Sequence, residues 1–351
     1  MVVPFSALAA ADGLILLDGV PIVMDDDGVT DPNGLYLPTR IGDDSLAARL
    51  NIPTPYMRRL REAPNVGLWD ENVNHWLKRD PNRKVLIRLF TGTEAGEEGI
   101  FRSMSSDRFK IMDNLDLLLA ILGGLRDADI AFTVSGFNIS ERNMTFSVEA
   151  PDIRVAAETL LKGYRSPFTG QPATDNPFIH AGFQFGNSET GFGAGTLRSR
   201  AVVEVCSNGM TRDVDLFRQV HLGSKMDEGL VRWGDDTQEK ALRLVTAQVR
   251  DTVQAFCSKE YLREWIESME EKAGVAVTSP EKAIKVISKR AGFSETEAQG
   301  ILSHFISGGQ ATAGGLMQAV TSFAQTIESP DRAVEVEGKG MDVLAIAASL
   351  K

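Results

Sequence analysis

The feature that most constrains this chain is a change of hydrophobic period after Asn208-Gly209. Before it, short apolar runs are punctuated by Gly, Pro, Asn and Asp, the mark of strands joined by turns. From about residue 235 to 350 apolar residues recur at the 3.6-residue period of amphipathic helices. Breaks are expected at Gly292, Gly308-Gly309 and Gly314-Gly315. The fold class expected is therefore α+β: a strand-rich antiparallel core with hairpins, followed by a mainly helical C-terminal region. Three segments follow from the same reading: an acidic strand segment (1–39), an α+β core (40–225) and a helical region (226–351).

Charge is unevenly spread. The first 39 residues hold six aspartates and no lysine or arginine, whereas residues 40–110 hold thirteen basic residues against ten acidic ones. The net charge of −11 argues against a protein that coats nucleic acid with its whole surface, and leaves room for a local basic groove. No apolar run approaches the roughly 18 residues of a transmembrane helix, and the N-terminus lacks a basic signal-peptide region. Cys206 and Cys257 are the only cysteines, which fits a reducing compartment and two buried thiols. A soluble, cytoplasmic protein is expected.

Between Asp25 and Asn33 the acidic cluster superficially resembles a calcium loop, but Tyr36 stands where the twelfth-position carboxylate belongs; a hairpin turn is expected. DDSLAARLNIPTPYMRRL reads as two short helices broken at Asn51-Ile52-Pro53, the second opened by Thr54-Pro55. Arg58, Arg59 and Arg61 follow on that second helix. A helix-turn-helix would use such residues on DNA; a plain helical hairpin packed on a sheet is the competing reading. KVLIRLF and GIFRSMS read as strands, and NLDLLLAILGGL as a buried helix stopped by its glycines. Further hairpins turn at Ser140-Glu141-Arg142 and between about Phe178 and Cys206.

The last hairpin contains FQFGNSETGFGAG, residues 183–195. A dinucleotide loop needs a helix after its glycines, and a strand, LRSRAVVEV, follows here; a phosphate loop needs a lysine, and Gly195-Thr196 has none. The glycines are expected to supply positive φ at a bulged hairpin tip. Asn187, Ser188 and Glu189, with Gly191, are expected either to cap that tip or to touch a ligand.

His75, His180, His221 and His304 have no metal-ligand spacing, so neither a metal nor any other cofactor is expected. No nucleophile elbow occurs. The candidates for function are basic side chains: Arg198 and Arg200, two apart on one strand and hence on one face, and Arg102, Arg108 and Lys110 around a second strand end. A sheet face of arginines can track a phosphate backbone while Phe101, Phe109, Phe183 or Phe192 stack bases. The competing reading pairs these arginines with Asp107 or Glu204.

SLAARLNIPTPYMRRL, NHWL, RSMSSDRFKIMDN, NSETGFGAG, VVEVCSNGM, HLGSK and TAGGLMQAVTSFAQ, taken together and in this order, resemble the phage- and plasmid-encoded family catalogued as domain of unknown function 932. The resemblance spans roughly Arg40 to Ile346. It carries over to Ser106-Asp107-Arg108, to Asn187-Ser188-Glu189 with Gly191, and to Cys206 with Asn208-Gly209, and implies no catalytic assignment. It implies a bacterial host cell and a role in DNA metabolism, replication or host conflict. The strand-strand-strand-helix rhythm is also compatible with single-strand annealing proteins, an analogy of fold alone.

Three readings stand at this point. The first is a non-enzymatic binder of nucleic acid, single-stranded DNA above all, working as a homo-oligomer in recombination or replication, with Arg58, Arg59, Arg102, Arg108, Lys110, Arg198 and Arg200 on the ligand. The second is an interaction protein that blocks or scaffolds a host or phage partner. The third is an enzyme that holds a phosphorylated ligand at the glycine-rich hairpin.

Overall fold

A computed structural model of the chain describes residues 1–25, 28–62, 64–92, 97–219 and 235–350. Asp26 and Asp27 of the acidic turn, the HLGSK stretch with His221, and the expected boundary at 225/226 lie outside these residues. The chain divides into two units. The first comprises Met1–Met112 with Ser188–Phe192, and the second comprises residues 113–187, 193–219 and 235 onward.

The first unit contains, in order, β1 (Val2–Pro4), β2 (Leu8–Ala11), β3 (Leu14–Leu17), β4 (Val23–Asp25), β5 (Gly28–Thr30), β6 (Gly34–Pro38), α1 (Arg40–Leu50), α2 (Thr54–Leu60), α3 (Val66–Arg79), β7 (Lys84–Phe90) and β8 (Gly99–Ser106). Its six-stranded sheet has the order β1-β7-β8-β6-β3-β2, antiparallel except where β6 runs parallel to β8. The acidic segment thus contributes four strands to the same sheet as the basic β7 and β8. β4 and β5 form a separate two-stranded hairpin.

One sheet face is buried by the helices. Phe5, Ile15, Tyr36, Phe101 and Met104 meet Leu46, Met57, Trp69 and Val73 in a single core. Thr39 starts α1 by accepting the Gly42 amide at 2.9 Å, and Asn51 ends it in the left-handed conformation, as N-cap and C-cap preferences dictate. α2 begins at Thr54 itself, with Pro53 before it.

The second unit contains α4 (Asn114–Asp127), β9 (Thr133–Ile139), β10 (Met144–Ala156), β11 (Phe178–Asn187), β12 (Gly195–Val203) and β13 (Gly209–Gln219), then the helices α5 (Asp235–Phe256), α6 (Lys259–Ala273), α7 (Pro280–Ala291), α8 (Glu295–Gly308), α9 (Ala313–Ala324), α10 (Pro330–Gly338) and α11 (Gly340–Ser349). A five-stranded antiparallel meander runs β13-β12-β11-β10-β9. The α+β class with a helical C-terminal region is what the change of period indicates.

Two expected glycine stops are not stops. α4 continues through Gly123 and Gly124 because Gly124 lies against Val249 of α5, where a Cβ would have no room. Gly314-Gly315 falls inside the first turn of α9, which Thr312 caps. By contrast Gly292 and Gly309 close α7 and α8 in the left-handed conformation, as expected. α9 is buried nearly all round, with Leu316, Met317 and Val320 fully covered, which makes it the central helix of this unit.

Candidate nucleic-acid interface

The cross-strand register sorts the five-stranded sheet into two faces. One carries the pairs Phe146–Phe185, Val148–Phe183 and Ala150–Ala181 and continues into Leu197 and Ala201. The other carries the rows Ser147–Gln184–Arg198 and Glu149–Gly182–Arg200. Arg198 and Arg200 therefore share a polar face, as strand alternation requires. That face is not an open groove: Ser147, Gln184, Thr211 and Arg200 on it are all buried.

Arg200 donates both Nε and a terminal nitrogen to the Glu337 carboxylate of α10, at 2.9 and 3.0 Å, and reaches Ser135 at 3.3 Å. Thr211 donates to the same carboxylate at 3.1 Å. A buried, bidentate pair of this kind is a structural clamp. Its charge is met inside the protein, which corrects the expectation that Arg200 contacts a ligand.

In the first unit the helical hairpin uses two of its three arginines internally. Arg58 pairs with Asp44 at 2.5 Å, and Arg61 holds the buried Asp43 while lying over the Trp69 ring at 4.0 Å. Burial pushes the Asp43 carboxyl up, and the Arg61 guanidinium opposes that shift. The geometry is that of the helical hairpin packed on a sheet. Arg58 and Arg59 are both exposed, and Arg61 is half-buried.

Arg102 on β8 donates to Glu189 at 3.2 Å and lies 4.6 Å from the Phe90 ring, and Arg88 on β7 stands 3.7 Å from the same carboxylate. The Asn187-Ser188-Glu189 loop thus has a definite task at its third residue, which places one carboxylate between two sheet arginines. Gly191, at φ 88°, is the glycine of residues 183–195 with a positive φ, and a Cβ there would press on Ser105. Ser188 accepts the Phe192 amide at 3.0 Å, and Asn187 donates to Asn114 at 2.9 Å. The Ser188 bond is a turn contact, whereas the Asn187 bond is a buried tertiary contact to the start of α4.

Arg108 is exposed and Lys110 half-buried just beyond β8. Of the aromatic residues expected to stack bases, Phe101 and Phe183 are fully buried. They are core residues and present no face to a ligand.

The stretch around Cys206 is likewise internal. Cys206 contacts Tyr164 at 3.3 Å and the Asn208 side chain, and Asn208 donates to Gln318 at 2.5 Å and Thr321 at 2.7 Å. Burial raises the Cys206 thiol above its ordinary value and pushes Cys257 up to about 12. Neither is a thiolate nucleophile at neutral pH.

A different part of the first unit gathers cations around an accessible ring. α3 turns Trp69, Val73 and Leu77 into the core, and Trp76 falls on the adjoining stripe, half-buried. The helix ends in the run Lys78-Arg79-Asp80-Pro81-Asn82-Arg83-Lys84, four basic residues against one acid. Backbone bonds fix the turn: the Arg83 amide donates to Asp80 at 3.1 Å, and the Phe5 and Ser6 amides donate to Arg83 and Pro81 at 2.9 Å each.

A cleft of about 330 Å³ results, lined by Trp76, Phe5, Arg79, Arg83, Asp80, Leu50 and Asn51. Arg79 lies 5.2 Å from the Trp76 ring and Arg83 5.3 Å from the Phe5 ring, both within cation–π range. Neither arginine has an ion-pair partner among the described residues. Arg49 stands beside Arg83: its guanidinium is pulled below its ordinary value first by burial and then by that like charge, with Asp107 opposing.

Arg49, Trp76, Arg79 and Arg83 are not among the residues singled out in the sequence. The signal is the run of four basic residues in seven that begins two residues after Trp76. It is diluted when the charge of residues 40–110 is counted as a whole.

No protein-family model matches the chain, and no curated protein or solved structure does either. Among the described residues no helix is long and apolar enough to cross a membrane.

Proposed function

We propose that the chain binds single-stranded nucleic acid, DNA in the first instance, without catalysing a reaction on it, and that one base stacks on the half-buried Trp76 ring at the mouth of the cleft while Arg79, Arg83 and Arg49 meet the flanking phosphates. The observation that carries this reading is the pairing, in one cleft, of the Trp76 ring with Arg79 and Arg83, which have no ion-pair partner among the described residues. Single-strand binders combine these two elements: rings that stack bases and a cationic track along the backbone. The negative net charge confines such binding to a local site, and the arginine–phosphate contacts make it salt-dependent through counterion release. The resemblance to the phage- and plasmid-encoded family supports a setting in phage or plasmid DNA metabolism in a bacterial cell.

The test is fluorescence anisotropy with a labelled oligothymidine of about 16 nucleotides, the upper end of a common site size. Binding is expected at about 50 mM salt and should weaken sharply by about 200 mM. Trp76→Ala should weaken it by roughly 5- to 150-fold, from the ~1–3 kcal/mol of one stacked base. Absence of binding at the lower salt, or a Trp76→Ala variant that binds like the wild type, overturns the reading.

A further inference from the structure

β9 is an edge strand of the five-stranded sheet, and six of its seven residues are exposed. Val134, Phe137 and Ile139 are 56%, 48% and 59% accessible. Sheet edges in stable monomers are blunted by lysine, proline, bulges or a covering element, because an open edge is a template for another strand. β9 has no such charge and no proline: Ile130 to Ser140 is an eleven-residue stretch without a charged residue. Its bulge, between Gly136 and Val134 opposite Ser147 and Val148, leaves the half from Gly136 to Ile139 regular.

The direction of its free backbone groups follows from the hairpin. The Ser140 amide donates to the Asn143 carbonyl at 2.8 Å, and Ile139 and Phe137 lie opposite Met144 and Phe146. In the antiparallel alternation these are the non-bonded positions, so the amides and carbonyls of Ile139 and Phe137 point away from β10.

We propose that β9 pairs antiparallel with β9 of a second copy of this chain, joining the two five-stranded sheets across a two-fold axis. An antiparallel edge is complementary to itself, which is what an isologous interface requires. Charge permits the same partner: each chain carries −11 overall, and this neutral stretch brings no like charges together where the two edges meet. The opposite edge is unsuited, because β13 carries Arg212 and Arg218, the kind of residue that protects an edge.

The proposal is independent of nucleic-acid binding and is tested without any ligand. Sedimentation of the full chain should give a particle of twice 38.2 kDa at micromolar concentration. The double variant Val134→Lys/Ile139→Lys, altered only at exposed positions, should sediment at the single-chain mass with an unchanged circular dichroism spectrum. If that variant does not fold, hydrogen exchange on the wild type decides: the Phe137 and Ile139 amides should become more protected as concentration rises. A wild-type monomer, a folded variant that remains dimeric, or concentration-independent exchange at those amides overturns the proposal.

Discussion

Replacing Gly209 by alanine drives a methyl group into the guanidinium of Arg200, since a Cβ at that position overlaps the Arg200 Nε, Cζ and a terminal nitrogen. The end of an arginine side chain would ordinarily swing aside at little cost. Here it cannot move without giving up both bonds to Glu337, at 2.9 and 3.0 Å, in a site where Arg200 is 8% accessible. Breaking a buried pair of this kind costs about 3–5 kcal/mol. Unfolding entropy of about 2.1 cal/mol/K per residue over 351 residues gives about 0.7 kcal/mol/K, so the melting temperature should fall by about 4–7 °C. Thermal unfolding followed by circular dichroism reads this directly. In the background Arg200→Met/Glu337→Leu, which removes both charges together, the alanine should cost much less, because an apolar pair of similar volume tolerates the site. A Gly209→Ala protein that melts within about 1 °C of the wild type would refute the clamp and return Arg200 to the pool of ligand-binding candidates.

Glu297 caps α8 by accepting the Ser294 amide at 2.7 Å and receives two bonds from Arg332 at 2.6 and 2.8 Å; the Arg332 bonds, with the cap, hold its carboxyl at about 2. Because the folded value lies below the unfolded one, the unfolded chain binds the extra proton, so this contribution is complete above about pH 4.5 and is lost as pH falls towards 2. Urea midpoints measured over that window should decline less in Glu297→Gln than in the wild type, and parallel declines would contradict the assignment. Glu189→Ala leaves Arg88 and Arg102 facing each other without their shared carboxylate; it should lower stability by about 1–3 kcal/mol, read as a shift of the urea midpoint at constant slope. Both thiols should be silent to a disulfide reagent at pH 8 in the native protein and react after denaturation, since Cys206 and Cys257 are buried and their thiols raised; rapid native labelling of either one would contradict that environment.

The order of strands and helices was largely legible, because turns and helical periodicity are local. The hairpins at Ser140–Arg142 and between Phe178 and Cys206 stand where the turn residues put them. What local signals could not show was what a glycine touches. Gly124 reads as a stop in a window of twelve residues, yet it is a contact point with Val249, more than a hundred residues away. The same limit governs the site. Arg198 and Arg200 were correctly placed on one face, but the identity of the partner on that face, Glu337, follows only from the packing of α10. The cleft residues were missed for the complementary reason. Trp76 and Arg83 become neighbours of Phe5 because the N-terminal turn bonds to the α3–β7 connection, a pairing that no periodicity announces.

The most direct test of the central claim is the salt dependence of oligothymidine affinity in the wild type and in Arg83→Ala. For single strands, log affinity falls against log salt with a slope of about −0.7 per phosphate contacted. If Arg83 meets a phosphate at the Trp76 cleft, its removal should make the slope shallower by about 0.7 and lower the affinity at every salt concentration. A slope that stays the same within error, with affinity unchanged, would mean that nucleic acid, if bound at all, is bound elsewhere.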